Sequence, residues 1–180
     1  MKKIKVIVGS VRDERAGIKV AHWVMEKAES YHGNLSFELV DLKEVDLPLL
    51  NEPKTPKSGA PYKYEHTKKW SQVIKEADGF IFVTPEYNHG YSSALKNAID
   101  YLYYEWREKP AAFVGYGSRG AVLSIRQLSE VIEMIGMVII SERIGINQIY
   151  EAFDESGSIK NENVNGDIIA LFETIEKHFI

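Results

Sequence analysis

The segment Gly79-Phe80-Ile81-Phe82-Val83-Thr84-Pro85-Glu86-Tyr87-Asn88-His89-Gly90 decides the fold class of this chain. Its first half is a continuous apolar run, which is typical of a strand buried on both faces of a parallel sheet. Pro85 ends the strand because proline cannot donate to a sheet ladder. Apolar residues then recur at helical spacing from Ala94 to Leu102, which predicts a helix over 92–104.

The same alternation of strand and helix continues in both directions, five times in all. The predicted strands cover 4–8, 37–42, 79–84, 111–116 and 137–140, and the predicted helices cover 17–31, 66–76, 92–104, 121–135 and 166–179. Apolar strands separated by helices predict an α/β fold with a doubly wound, five-stranded parallel sheet in three α/β/α layers. We expect residues 1–180 to form a single domain.

The composition narrows the classes of function. Apolar residues make up 44% of the chain and charged residues 27%, as in ordinary globular proteins. A net charge of −4 disfavours nucleic acid as the partner, because phosphate backbones are bound by dense basic surfaces. The absence of cysteine excludes disulfides, thiol catalysis and thiolate metal sites, and it fits a cytoplasmic location. No apolar run approaches the roughly 20 residues that cross a bilayer, so we expect no membrane association.

Two long segments have no regular pattern. Residues 43–64, the Pro-rich segment, contain four prolines, which interrupt ladders and helices, so we predict an irregular surface loop. Because this segment follows the carboxyl end of a strand, we expect residues 51–64 to shape the access of a substrate to the site. Residues 147–163 are polar and are also predicted as a loop.

Ligands of doubly wound sheets bind beyond the carboxyl ends of the strands, so the loops after the first, third and fourth strands form the candidate site. The first loop, 9–17, leads into a helix N-terminus, whose free N–H groups and positive dipole suit a phosphate. Ser10 adds a hydroxyl donor, and Arg12 and Arg15 add charged, forked donors. No Gly-Lys-Ser/Thr follows, so this is not a Walker loop. A polar surface turn is the alternative.

The second loop, 85–90, follows the most apolar strand and therefore lies near the centre of the sheet. Tyr87 supplies a flat aromatic ring and Asn88 supplies an amide, a combination that holds planar heteroaromatic ligands by stacking and edge hydrogen bonds. His89 has the chemistry of an acid or a base, and a solvated loop histidine is the alternative interpretation.

The third loop, 115–120, fits Gly-x-Gly-x-x-Gly, and Glu142 follows on the next strand. This is formally a dinucleotide fingerprint, but that fingerprint normally opens the first unit of a fold and this loop belongs to the fourth. A hydrolase elbow at Ser118 is a further alternative, although Tyr116 replaces its first glycine. A tight glycine turn without a binding role is the third.

Together the three loops resemble the NADPH-dependent FMN reductase family, which includes azobenzene, quinone and chromate reductases. The resemblance rests on Gly9-Ser10-x-Arg12, on 84–90 continuing into Leu95-Lys96-Asn97-Ala98-Ile99-Asp100, and on 116–120. It implies a flavodoxin-like strand order 2-1-3-4-5, FMN as the cofactor and NAD(P)H as the electron donor. The chain departs from the family pattern at Arg15, where serine is frequent, at Ala121, where glycine is usual, and at Tyr101, where tryptophan is frequent.

The resemblance also implies how FMN is bound: the first loop holds the phosphate, the second lines the isoalloxazine ring and the third borders its far edge. The expected cofactor-binding residues are Gly9, Ser10, Arg12, Arg15, Gly17, Ile18, Pro85, Glu86, Tyr87, Asn88, His89, Gly117, Ser118, Arg119 and Gly120. No side chain is expected to be catalytic, because the cofactor itself performs the redox chemistry.

The predicted function is the transfer of hydride from NAD(P)H through FMN to a small oxidised acceptor, such as a quinone, an azo compound, free flavin or a metal oxyanion. The main alternative is a flavodoxin-type electron carrier, although such carriers are usually more acidic. A serine hydrolase built on Ser10 or Ser118 needs a base within reach, and His89 is the histidine in a suitable loop. The aromatic run 101–106 and the family resemblance together predict a homodimer or homotetramer.

Overall fold

A computed structural model describes residues 1–180, and one six-stranded sheet organises them in the order β2-β1-β3-β4-β5-β6. The strands are β1 (Lys2–Val8), β2 (Leu35–Asp41), β3 (Gly79–Pro85), β4 (Pro110–Tyr116), β5 (Val138–Ile146) and β6 (Val164–Asn165). The first five are parallel, and β6 pairs with β5 in the antiparallel sense. The flavodoxin-like order is confirmed, and the predicted count of five strands is one too few because a two-residue strand leaves no periodic signal.

Six helices cover the two faces of the sheet. They are α1 (Ala16–Glu29), α2 (Leu42–Val45), α3 (Glu65–Lys75), α4 (Ser93–Asp100), α5 (Val122–Met134) and α6 (Ile168–Lys177), with short 3₁₀ turns at Pro56–Ser58 and Asn161–Asn163. Helices α1 and α6 contribute to one hydrophobic core, and α3, α4 and α5 contribute to the other. None of these helices is both long enough and apolar enough to traverse a bilayer.

Strand β3 shows why the apolar run in the sequence means a doubly covered strand. Ile81 and Val83 pack in the core of α1 and α6, whereas Phe80 and Phe82 pack in the opposite core. Because side chains alternate between the faces of a strand, two buried faces require an unbroken apolar sequence. This places β3, and therefore the loop that follows it, at the middle of the molecule.

Strand β5 is longer than the predicted 137–140. Its pairing with β4 shifts register between Ala111 and Phe113, whose partners are Ile139 and Arg143. The polar residues Ser141 to Arg143 in this irregularity hid the second half of the strand from a hydrophobic pattern. As a result Glu142 lies within β5 and not at its carboxyl end. The dinucleotide fingerprint requires an acidic residue near the ligand, and Glu142 does not occupy that position.

The helix predicted over 92–104 ends at Asp100. Part of the aromatic run that follows is buried in the hydrophobic core. Tyr101 and Trp106 are completely buried, and Trp106 packs edge-on against Trp70 with ring centroids 6.1 Å apart. Tyr104 is the exposed member, at 55%. Tyr101 and Trp106 therefore complete the core of one chain, which leaves less of this run for a subunit interface, and the homodimer or homotetramer stays a prediction.

The Pro-rich segment is tied down along the side of α3 and α4. The Asn97 amide donates to the carbonyl of Pro48 at 2.8 Å, and the Tyr104 hydroxyl donates to the carbonyl of Lys57 at 3.0 Å. The segment ends near Glu105 and Lys109, which precede the amino end of β4. None of residues 51–64 lines the cleft at the carboxyl edge of the sheet, and a role of this segment in access to the site stays a prediction.

Candidate functional site

A cleft of about 320 Å³ lies at the carboxyl edge of the sheet. The three predicted loops bound it, and residues 149–153, which follow β5, form a fourth wall. Its volume is in the range of small-molecule sites.

The first loop leaves most of its backbone donors free. Gly9 donates to the carbonyl of Val83 at 2.9 Å, and the N–H groups of residues 10–14 make no backbone hydrogen bond. Helix α1 then begins without a side-chain cap and without an acidic residue in its first turn. Its positive end is therefore uncompensated, which favours an anion at this position.

Ser10 and Arg12 connect this loop to the second one. Ser10 is buried, and its Oγ lies 2.6 Å from the hydroxyl of Tyr87. The exposed guanidinium of Arg12 lies over the Tyr87 ring, 5.7 Å from its centroid. Hydrogen bonding to Tyr87, and then to Tyr150, raises the pKa of Arg12. Both expected phosphate donors thus lie where the first two loops meet.

Arg15 is only partly free to bind a ligand. One of its terminal nitrogens forms an ion pair with Asp41 at the end of β2, and both side chains are largely buried. Asp41 also accepts from the N–H of Lys43 at 3.0 Å. The Nε of Arg15 is buried and has no partner. Arg15 therefore connects the first loop to β2 through its ion pair with Asp41. Its Nε–H remains available as a donor.

The second loop is a tight two-residue turn. Tyr87 and Gly90 exchange backbone hydrogen bonds of 2.8 and 3.0 Å, and Asn88 and His89 have φ values of 49° and 68°. Two consecutive left-handed residues are the signature of a type I′ turn. Asn88 and His89 form its exposed tip. Neither Ser10 nor Ser118 hydrogen bonds to a histidine, so the arrangement that a serine hydrolase needs is not assembled.

Glu86 joins the second loop to α5. Its Oε2 accepts from the N–H groups of Leu123 at 3.0 Å and Ser124 at 3.2 Å. The hydroxyl of Ser124 in turn donates to the carbonyl of Pro85 at 2.7 Å. The Glu86 carboxylate therefore caps a helix and fixes the spacing between the second and third loops.

The third loop is held against the segment after β5. Ile149 donates to the carbonyl of Gly117 at 3.2 Å. A side chain at Gly120 would lie 2.9 Å from the Cα of Gly145, so only glycine fits this close approach. Gly117 and Ser118 line the cleft, whereas Gly120 is buried and Arg119 is exposed. Ile18 is half-buried and packs against the core of α1 and α6.

Seven residues that line the cleft are not among the predicted site residues. They are Glu14, Ala16, Lys19, Tyr116, Ile149, Tyr150 and Phe153. The rule that sites lie beyond the carboxyl ends of strands would have found the last three, but the end of β5 was placed too early for it to be applied. Tyr116 stands where a hydrolase elbow has its first glycine, and the direction of its side chain does not follow from the sequence.

The donors present fit a phosphate. Two of the three buried side-chain polar atoms that lack a partner belong to this cleft, namely the Nε of Arg15 and the hydroxyl of Tyr116. Buried donors are nearly always satisfied, so two unpaired donors on residues that line one cleft point to an acceptor from outside the chain. Both lie beside the uncompensated end of α1, which favours a negative charge.

Fold and site together define a flavodoxin-like α/β protein with unpaired donors beside the N-terminus of α1. The family model for NADPH-dependent FMN reductase matches residues 2–151. An NAD(P)H-dependent FMN reductase of Schizosaccharomyces pombe is 45% identical over 136 residues, which cover 75% of this chain and 68% of that protein. One of Saccharomyces cerevisiae is 35% identical and covers 96% and 97% of the two chains.

A solved structure supports the same relationship. FerB, a flavoenzyme NAD(P)H:(acceptor) oxidoreductase from Paracoccus denitrificans, superposes with a TM-score of 0.71 at 30% identity, over 99% of both chains. The chain belongs to the NADPH-dependent FMN reductase family.

Proposed function

We propose that the protein is an FMN-dependent oxidoreductase that transfers hydride or electrons from NAD(P)H to a small oxidised acceptor, such as a quinone, an azo compound, free flavin or a metal oxyanion. The observation that carries this proposal is the cleft itself, where unpaired donors converge on the N-terminus of α1 beside an aromatic turn. Relatives named quinone reductase and NADPH azoreductase support this class of acceptor.

The side chains of the cleft have distinct tasks in this proposal. Ser10, Arg12 and the Nε of Arg15 hold the phosphate. Residues 85–88 and 117–120 border the ring, and Glu86 keeps these two walls at a fixed separation. When bound, FMN supplies the hydride chemistry, and the chain's contribution is binding, orientation and electrostatic environment.

The reaction is proposed to follow a ping-pong route in which donor and acceptor use the same face of the cofactor in turn. Hydride transfer requires near-contact distances, so the two substrates compete for one position. Initial rates measured against NAD(P)H at several fixed quinone concentrations should give parallel lines in a double-reciprocal plot. Intersecting lines would show a ternary complex and overturn the one-face route.

A spectrum of the purified protein, followed by an NAD(P)H oxidation assay, separates the classes of function. Flavin absorbance with NAD(P)H oxidation is the expected result. Flavin absorbance without turnover would identify an electron carrier. A colourless protein with esterase activity would identify a hydrolase, and either of these results overturns the proposal.

Three further properties belong to the same proposal. Residues 1–180 act as one FMN-binding domain, which the two cores on opposite faces of a single sheet support. The protein works in the cytoplasm, in keeping with its lack of cysteine. It forms a homodimer or homotetramer, a proposal that rests mainly on the family. Light scattering at micromolar concentration tests the last property, and a monomer would contradict it.

A further inference from the structure

Tyr116 is the last residue of β4 and has a buried hydroxyl without a partner. The side chain is 5% exposed, and its ring belongs to the core of α1 and α6. Ser10 lies close enough to lower the pKa of Tyr116, but the Ser10 Oγ makes its hydrogen bond of 2.6 Å with Tyr87, and no atom meets the Tyr116 hydroxyl at hydrogen-bonding distance and angle. Leaving a buried hydroxyl unpaired is costly, so this atom requires an explanation.

The hydroxyl lies at the positive end of α1. A Cβ atom at Gly17, in the first turn of that helix, would collide with it. Glycine at position 17 therefore leaves the space into which the Tyr116 hydroxyl extends. Arg15, whose Nε is also unpaired, immediately precedes the same turn.

The neighbouring groups at this position are mostly donors. The first N–H groups of a helix donate, and so does the Arg15 guanidinium. Burial, and then the proximity of Tyr87, raises the pKa of Tyr116, so its hydroxyl keeps its proton at neutral pH. Beside these donors the phenol has the Ser10 hydroxyl, itself bonded to Tyr87, but no hydrogen-bonded acceptor, and one anionic oxygen would satisfy the phenol, the guanidinium and the helix together.

We propose that the Tyr116 hydroxyl donates a hydrogen bond to the terminal phosphate of FMN. This assignment rests on the proposed function, and it adds a phosphate ligand from the third loop to those of the first. It also explains why Gly17 is needed, since any side chain there would displace the hydroxyl.

The test compares Tyr116→Phe with the unaltered protein, after removal of flavin, in titrations with FMN and with riboflavin, which lacks the phosphate. We expect the dissociation constant for FMN to rise by roughly 10-fold or more, as for the loss of a hydrogen bond to a charged group, and that for riboflavin to change by less than about twofold. The matched control is Tyr31→Phe, which removes a phenol that donates to Glu176 beyond the other end of α1.

Thermal unfolding of the flavin-free variants provides a second readout. Tyr116→Phe should unfold at the same temperature as the unaltered protein or higher, because no hydrogen bond is lost, whereas Tyr31→Phe should unfold at a lower temperature. Unchanged FMN affinity, an equal loss of FMN and riboflavin affinity, or a lower unfolding temperature for Tyr116→Phe would each overturn the assignment. If the unaltered protein binds no FMN, it is the proposed function that fails.

Discussion

The first loop and the Pro-rich segment both follow the carboxyl end of a strand, but they differ in how many of their polar groups have hydrogen-bond partners. The first loop leaves backbone N–H groups, the Nε of Arg15 and the neighbouring hydroxyl of Tyr116 without partners. In the Pro-rich segment, Glu52 accepts from the N–H groups of Lys63 and Tyr64, each at 3.0 Å.

The difference shows how a binding loop can be told from a structural one. A loop that serves only the fold satisfies its own polar groups, because unpaired buried donors cost free energy. A loop that serves a ligand keeps donors unpaired until the ligand arrives. By this criterion the first loop is the candidate for binding, whereas Glu52 satisfies backbone donors within the Pro-rich segment.

The largest expected effect is a loss of stability when Glu105, which anchors Tyr62 of the Pro-rich segment, is replaced. This buried carboxylate accepts from the hydroxyl of Tyr62 at 2.9 Å and from that of Ser71 at 2.6 Å. Glu105→Ala should lower the free energy of unfolding by about 3 kcal/mol or more, because it leaves buried polar groups without an acceptor. Denaturant unfolding measures the loss, and Glu105→Gln should recover part of it. A change in FMN affinity in the folded variant would contradict a purely structural role for the Pro-rich segment.

The second prediction concerns the first loop. Arg12→Ala should weaken FMN binding by roughly 10-fold or more, because a phosphate loses a charge-assisted donor. Adding Ser10→Ala should weaken it further, while the free energy of unfolding of the flavin-free protein stays nearly unchanged for Arg12→Ala. Fluorescence titration measures the affinity, and Arg143→Ala, an exposed arginine within β5, is the control. Unchanged flavin occupancy in the double variant would remove this loop from the site.

The third prediction concerns the contact between the second and third loops. Glu86→Ala removes the cap of α5 and should lower the free energy of unfolding by about 1 kcal/mol. Glu86→Gln keeps an acceptor oxygen and should lose less. Denaturant unfolding of the flavin-free variants checks the order. Equal losses for both variants would show that the negative charge at the helix end matters more than the hydrogen bond.

The smallest effect is expected on the pH dependence of stability, through Glu176 in α6. Its carboxylate accepts hydrogen bonds from the hydroxyl of Tyr31 and the N–H of Asn34. These bonds, the Tyr31 bond first, hold the pKa of Glu176 below its ordinary value of 4.5. A lowered pKa in the folded state contributes stability that is present above pH 4.5 and is lost as the pH falls below it. In Glu176→Gln, the free energy of unfolding should therefore fall less steeply than in the unaltered protein as the pH decreases below 4.5. Glu155→Gln, at an exposed position, is the control, and an identical decrease for both variants would contradict the assignment.

The sequence predicted the parts of the site that lie next to well-marked strands. The loops after β1, β3 and β4 were located because apolar runs ended clearly at Gly9, Pro85 and Tyr116. The wall formed by residues 149–153 was missed because a register shift and three polar residues concealed the end of β5. The aromatic run 101–106 was misinterpreted because composition does not show on which side of a surface a ring lies.

The sequence by itself determined the alternation of strands and helices, the edge of the sheet that carries the candidate site, and the family. These follow from local patterns, since apolar periodicity and turn chemistry act over a few neighbouring residues. The tertiary structure alone decided which donors are free. Arg15 meets Asp41 across 26 positions, Glu86 reaches Leu123 across 37, and Tyr116 reaches the space above Gly17, so their partners are set by the packing of distant segments. Whether a polar side chain is available to a ligand depends on those partners, and no local pattern specifies them.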